Sequence, residues 1–430
     1  MNVTVRNRLA GVIAAGLLAV AGPAWAQIGP VQTPTLPGLP TGATDRMPLL
    51  GEVERRANEG LDRALQAPSR LTRLISRSGG RLEADPSGWP VVRGEIVAVD
   101  LSDPAREEAL AAGFSILREE RLDALDLTAL VLAPPRRMAL ASAVERLRRM
   151  DPQADITFNH VHAPAGEVGE GRGGVAAAGP QDAGARLGLI DTGVEATHPA
   201  LVGAAITQRG FAGPPRMGAH GLAVASLMVG RSGAFTGGAP GAALRVADIY
   251  GGDPAGGSST ALAQALAWMV EGRVPVVNVS LVGPRNALVE RAVARARARG
   301  VTVVAAVGND GPAAAPLFPA SYEGVIGVTA VNARNQVLPE AGRGDQVDFA
   351  APGADMAAAG QAGSWTAVRG SSFAAPIVAG LLARDGEAAL ARQAIDLGAR
   401  GRDPIFGAGL VGVEARVEPR AMGARGRLAR

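Results

Sequence analysis

The 430-residue chain reads as an α/β protein, a mostly parallel, doubly wound sheet preceded by a small α+β unit. Three observations predict it. Beyond residue 184, short and continuously apolar strands alternate with helical stretches, the pattern of a sheet buried on both faces. Between residues 86 and 162 the predicted order is β-α-β-β-α-β, that of a ferredoxin-like split unit. The 58 Gly and 30 Pro punctuate the chain too often for long coiled coils.

Taken in order, residues 1–26 read as an export signal. Arg6 and Arg8 supply the charged start, residues 9–21 an apolar run, and Ala24-Trp25-Ala26 a small-x-small cleavage site. The run falls short of the ~20 residues needed to span a bilayer, and no other stretch is longer. An exported protein, periplasmic or extracellular and with no stable membrane span, is therefore expected. Residues 27–85 read as a Pro-rich leader and a helical segment. In the 86–162 unit, strands are expected at 91–100, 114–117, 125–132 and 156–159, with helices at 104–112 and 138–150. His160 and His162 close it and read as exposed loop residues. Residues 163–183, rich in Gly, Ala and Pro, read as a linker. The large domain follows over 184–415, and 416–430 reads as an Arg-rich solvated tail.

Composition removes whole classes of chemistry. The chain has no Cys, and all 43 of its basic residues are Arg. That excludes disulfides, thiolate nucleophiles, Cys-ligated zinc, Schiff bases and phosphate-loop lysines. Four histidines leave little room for a His-based metal site. The pI near 10.2 suggests a nucleic-acid binder, but without Arg6 and Arg8 the remaining 41 arginines face 40 acids. Nor do those arginines form an aromatic-interleaved patch, so no nucleic-acid partner is expected.

In a parallel α/β sheet, sites form outside the carboxyl ends of the strands, where helix N-termini also point. Four polar residues fall at such junctions. Asp191 follows the strand at 187–190, and Asn309 follows the strand at 301–306. His220 opens a helix of small and apolar residues, and Ser372 opens another. Pro376 fits a helix best in its first turn, which places Ser372 at the helix start. Asp, His and Ser within reach of one another make a nucleophilic relay, with Ser372 attacking a carbonyl, His220 taking its proton and Asp191 orienting the imidazole. The Asn309 amide and the Ser372 N–H are candidate oxyanion donors.

Four segments in this order resemble those of the subtilases, the subtilisin-like serine proteases. They are Asp191-Thr-Gly-Val, His220-Gly-Leu-Ala-Val-Ala-Ser, Ala306-Val-Gly-Asn309-Asp-Gly and Gly370-Ser-Ser372-Phe-Ala-Ala-Pro. The resemblance covers about residues 183–415 and implies a serine endopeptidase acting on polypeptides through an acyl-enzyme. The 86–162 unit is similar to subtilase propeptides, which implies an intramolecular inhibitor or folding aid. The same resemblance implies a substrate-pairing edge at Ser280, Leu281, Val282 and Gly283, with a facing edge through Ala306 and Gly308. Leu317 falls at the floor of the primary specificity pocket, where it would favour small residues. Val282 stands where Gly is usual and would narrow that pocket; Ser371 and Phe373 stand where Thr and Met are common. No cofactor is implied, and no metal ligand is assigned. Calcium is possible, but no ligand set matches the family's.

Two other readings stay open at this stage. One is an exported pseudoenzyme or peptide-binding protein of the same fold, held inactive by its N-terminal domain. The other is an aspartic protease, since Asp191-Thr-Gly also matches that signature, although such chemistry needs two carboxylate loops and the chain has one.

Overall fold

The computed structural model describes residues 70–168 and 187–424. The expected export signal, the leader to residue 69, the linker from 169 and the last six residues of the tail lie outside them.

The N-terminal part comprises α1 (Arg70–Arg77), β1 (Leu82–Ala84), β2 (Pro90–Val99), α2 (Asp103–Ala111), β3 (Ser115–Leu122), β4 (Leu127–Ala133), α3 (Leu140–Met150) and β5 (Asp155–His160). From β2 onward this is the order expected from sequence. β2 is the central strand, antiparallel to β4 and, nearer its start, to β1 along one edge and to β5 along the other, and β3 closes the sheet beyond β4. Side chains alternate between two buried environments, as a period of two requires. Ile96, Ala98, Leu130 and Leu132 pack with α2 and α3. Val97, Val99, Ala129 and Val131 join the core built by two helices of the large domain.

Two short strands follow, β6 (Ala163–Pro164) and β7 (Glu167–Val168). The large domain then runs β8 (Leu187–Asp191), β9 (Ile206–Gly210), α4 (Ala219–Val229), β10 (Arg231–Ser232), β11 (Phe235–Thr236), β12 (Leu244–Asp248), α5 (Ser259–Glu271), β13 (Val276–Val279), β14 (Leu281–Val282), α6 (Ala287–Ala298), β15 (Thr302–Ala306), β16 (Ile326–Val331), β17 (Phe349–Pro352), β18 (Ala354–Ala359), β19 (Trp365–Arg369), α7 (Ser371–Asp385) and α8 (Glu387–Gln393). Seven strands form one parallel sheet in the order β17-β16-β15-β13-β8-β12-β9. Leu187, Leu189, Val304 and Ala306 face the core that holds α4 and α7, while Ile190, Val277, Val303 and Ala305 face that of α5 and α6. Both faces are covered, which is why the strands read as apolar runs rather than alternating ones.

Two boundaries differ from the sequence reading. Residues 163–168 are not linker. Ala163 and Pro164 pair antiparallel with Val282 and Leu281, and Glu167 and Val168 pair with Arg369 and Val368. Residues at the start of the expected tail belong to the domain: Ala357 donates its N–H to the Val417 carbonyl, Val417 is buried, and a 3₁₀ turn covers Pro419–Met422.

Candidate active site

Asp191 is the last residue of β8 and is fully buried. Its carboxylate accepts the Thr192 N–H at 2.8 Å and faces His220 Nδ1 at 2.8 and 3.0 Å from its two oxygens. His220 lies in the first turn of α4, where Thr192 Oγ1 takes up the otherwise unpaired Gly221 N–H at 3.0 Å. A carboxylate on Nδ1 fixes the tautomer with the proton there, which leaves Nε2 as the basic nitrogen. That Nε2 is buried and has no hydrogen-bond partner among the described residues.

Ser372 is the second residue of α7 and fully buried; its Oγ also lacks a partner among the described residues. Two polar residues hold this turn. Ser371 donates its N–H to Asn309 Oδ1 at 3.0 Å, and its own hydroxyl accepts the Gly308 N–H at 3.1 Å. Pro376 sits in the second turn rather than the first. Having no N–H, it leaves the Ser372 carbonyl without its intrahelical donor. Ser280 Oγ supplies one instead at 2.8 Å, and is itself held by Asn278 Nδ2 at 2.9 Å. The proline therefore ties the α7 N-terminus to the end of β13.

The cleft beside Ser372 is filled by the chain itself. Beyond the β6–β14 pairing, Ala165 donates its N–H to the Ser280 carbonyl at 3.0 Å. The Arg70 guanidinium donates to the Pro164 carbonyl. A Cβ built on Gly370, whose φ of +135° only glycine adopts readily, would stand 2.8 Å from Asn309 Nδ2 and 2.9 Å from the Ala165 carbonyl oxygen. Amide and carbonyl thus flank one point. Ala165 is fully buried in the same apolar cluster as Val282 and Leu317. A Cβ on Gly308 would meet Leu317 Cδ1 at 2.5 Å and Val282 Cγ1 at 3.5 Å, so both side chains crowd the space above Gly308.

Of the expected substrate edge, Ser280, Leu281 and Val282 pair with this segment, and Gly283 lies under the His162 ring. At the expected facing edge, part of the main chain is already engaged within the domain. Ala306 is inside the sheet, paired with Val328 on β16. Gly308 uses its N–H on Ser371 Oγ, and its carbonyl accepts the Gly342 N–H.

Comparisons with known proteins agree with this geometry. Residues 182–391 match the Subtilase family (peptidase S8). Thermitase of Thermoactinomyces vulgaris is 32% identical over 252 residues, covering 55% of this chain and 88% of that protein. The chain belongs to the subtilase family. With it comes the family's serine endopeptidase chemistry, an acyl-enzyme formed by an Asp-His-Ser triad. Subtilisin DY of Bacillus licheniformis is 30% identical over 217 residues, 49% of this chain and 79% of that one. The minor extracellular protease Epr of Bacillus subtilis (strain 168) is 32% identical over 180 residues, but the match spans only 28% of its length. Among solved structures, fervidolysin of Fervidobacterium pennivorans, a keratinolytic enzyme related to subtilisin, shares the fold. Its TM-score is 0.62 at 20% identity, over 78% of this chain and 62% of that one.

Other residues around this subtilase site were not legible in the sequence. His160 and His162 are buried, not exposed. His160 lies between Asp85 Oδ2 at 3.2 Å and Asn286 Nδ2 at 3.0 Å. His162 donates its N–H to the Gly257 carbonyl, and Tyr250 donates its hydroxyl to the His162 carbonyl at 2.9 Å. Burial pushes the Tyr250 phenol well above its ordinary value, and Asp191 adds to the shift. Phe373 is fully buried with its ring 5.4 Å from that of His220. Among the described residues, no three His, Asp or Glu converge as a metal site, and no helix is long and apolar enough to cross a membrane.

Proposed function

We propose that the chain is the precursor of an exported endopeptidase, periplasmic or extracellular, held inactive by its own N-terminal domain. Residues 86–162 act as an intramolecular inhibitor and folding aid, a role its ferredoxin-like strand order fits, and 163–168 lie along the cleft as a bound substrate would. One observation carries the reading. Ala165 presents its carbonyl beside Asn309 with its N–H anchored on Ser280, and Gly166 follows against Ser372.

In this reading Asp191 orients His220, and His220 Nε2 removes the Ser372 proton as Oγ attacks the Ala165 carbonyl carbon. The oxyanion is received by Asn309 Nδ2 and the Ser372 N–H, which has no intrahelical acceptor. Collapse breaks the Ala165–Gly166 bond, and His220 returns the proton to the departing Gly166 amine. Water then cleaves the Ala165–Ser372 ester by the reverse proton route. Polypeptides that replace 163–168 follow the same path, with Leu317 and Val282 limiting the residue before the cut to small side chains. None of these steps draws on a cofactor, and any calcium would serve stability alone.

The test is labelling of secreted protein with a fluorophosphonate beside Ser372→Ala, with N-terminal sequencing of both. Labelling that depends on Ser372, and a fragment beginning at Gly166 in the wild type alone, are expected. A Ser372→Ala protein that labels or cleaves itself equally would defeat the assignment.

A further inference from the structure

The residue after the presented carbonyl occupies the tightest point of the cleft. Gly166 has no positive φ, so its backbone would accept any residue; the restriction there is one of space. A Cβ on Gly166 would fall far inside van der Waals contact with Ser372 Oγ, and 2.6 and 3.2 Å from Phe373 Cε2 and Cδ2. The Ser372 hydroxyl must stay to react. The Phe373 ring has nowhere to withdraw: it is fully buried, belongs to the core of α4 and α7, and stacks at a tilt on His220. Moving it would displace the imidazole that serves as base.

We propose that Phe373 makes the leaving-side subsite selective for glycine, so that this enzyme cuts bonds preceding glycine. Its substrate class is polypeptide containing small-residue–Gly junctions, Ala-Gly first among them. This rests on the proposed role of Ser372 and on 163–166 lying in the direction of a substrate. Forcing a methyl into a packed site costs about 1–3 kcal/mol, roughly 5- to 150-fold in rate.

The test uses the secreted full-length protein with quenched peptides His-Ala-Pro-Ala-Xaa-Glu-Val, where Xaa is Gly, Ala or Leu. The peptide ester His-Ala-Pro-Ala methyl ester, which has no residue after the scissile bond, is run beside them. In the wild type, kcat/KM with Gly should exceed that with Ala at least about tenfold, and Leu should fall lower. Phe373→Met and Phe373→Leu should each lower the Gly-to-Ala ratio severalfold, the remainder being set by Ser372 Oγ, which stays in place. The ratio is internal to each protein, so a change in overall rate does not obscure it. In the full chain, Gly166→Ala should slow self-cleavage by a similar factor, and adding Phe373→Met should recover part of the loss. Ester turnover with a Gly-to-Ala ratio near one in the wild type would overturn the selectivity and leave the triad intact. An unchanged ratio in both Phe373 variants would overturn the role of that ring. Absence of ester turnover would instead remove the nucleophile assignment, and this inference with it.

Discussion

Acid should loosen the segment that fills the cleft, and His162 sets the size of the effect. Its ring is fully buried, and neither Nδ1 nor Nε2 has a hydrogen-bond partner among the described residues. Burial, helped by the charge of His160, pushes its pKa from about 6.5 down to about 4, with the nearby Gly257 carbonyl pulling the other way. Once the segment leaves the cleft, the imidazole regains an ordinary value near 6.5. Between pH 6.5 and 4 the undocked state therefore binds a proton that the docked state does not, and docking weakens as pH falls. At about 1.4 kcal/mol per unit, the loss reaches about 3 kcal/mol near pH 4, roughly 150-fold in the docking equilibrium, and vanishes above pH 6.5. The groups facing His162 do not cancel this. Tyr250 stays neutral throughout. Burial raises the Asp85 carboxyl, but bonds from His160 and the Trp89 N–H more than offset it; its contribution is lost only below its ordinary range. The assay is hydrogen–deuterium exchange at the His162 and Ala165 amides in full-length Ser372→Ala protein from pH 7 to 4, corrected for intrinsic rates. Protection should fall across that window and stay flat in Ser372→Ala/His162→Leu. Equal loss in both proteins, or none in either, would refute the reasoning.

Three further outcomes follow from the same contacts. Asn309→Ala should lower kcat by roughly 10²–10³ with little change in KM, by analogy with oxyanion-hole deletion in subtilisin; steady-state kinetics on a small-residue peptide reads it. Leu317→Ala should open the space above Gly308 and shift preference before the cut from Ala toward Leu and Phe, visible with peptide esters varied at that residue. Asn286→Ala should cost about 2–3 kcal/mol in the Ser372→Ala background, measured by denaturant midpoint. Asn286 is buried, caps α6 through the Val289 N–H at 3.3 Å and donates to the Phe158 carbonyl at 2.9 Å.

The relay residues were legible because each sits where a strand ends or a helix begins, and those junctions leave sequence signals: an apolar run stopping at Asp191, a small-residue helix opening at His220. The α+β order of the N-terminal unit was legible for a related reason, since a period of two in β2 and β4 serves two cores at once. What holds residues 163–168 leaves no such trace. Apart from the Arg70 guanidinium on the Pro164 carbonyl, its bonds run from main chain to main chain, at Ala165 to Ser280 and at β6 to β14, and main-chain groups are the same in every residue. The histidines failed differently. A single His among small residues has no periodicity, and the ring of Tyr250 and the carbonyl of Gly257 that enclose His162 come from 88 and 95 positions away. Pro376 misled through a rule applied too narrowly: a proline within a helix is tolerated wherever another donor serves the carbonyl it abandons, and Ser280 does so.

The small-residue composition that made 163–166 look like linker is also what the cleft demands. Leu317 and Val282 leave room for a methyl at Ala165; Ser372 and Phe373 leave no room for one at Gly166. A chain threading those points has to be Ala-Gly there, and a stretch of Ala, Pro and Gly in a sequence is ordinarily assigned to flexible connection. Flexibility and tight fit draw on the same residues, because both depend on the absence of side chain. They part in the partner surface. A connector meets solvent, whereas Ala165 is fully buried and Gly166 abuts a buried ring. In a chain of this family, a small-residue stretch just ahead of the catalytic domain is therefore a candidate for the first bond the enzyme meets. Its identity constrains Phe373 and Leu317 as closely as they constrain it: enlarging Gly166 and trimming Phe373 are two halves of one compensating change.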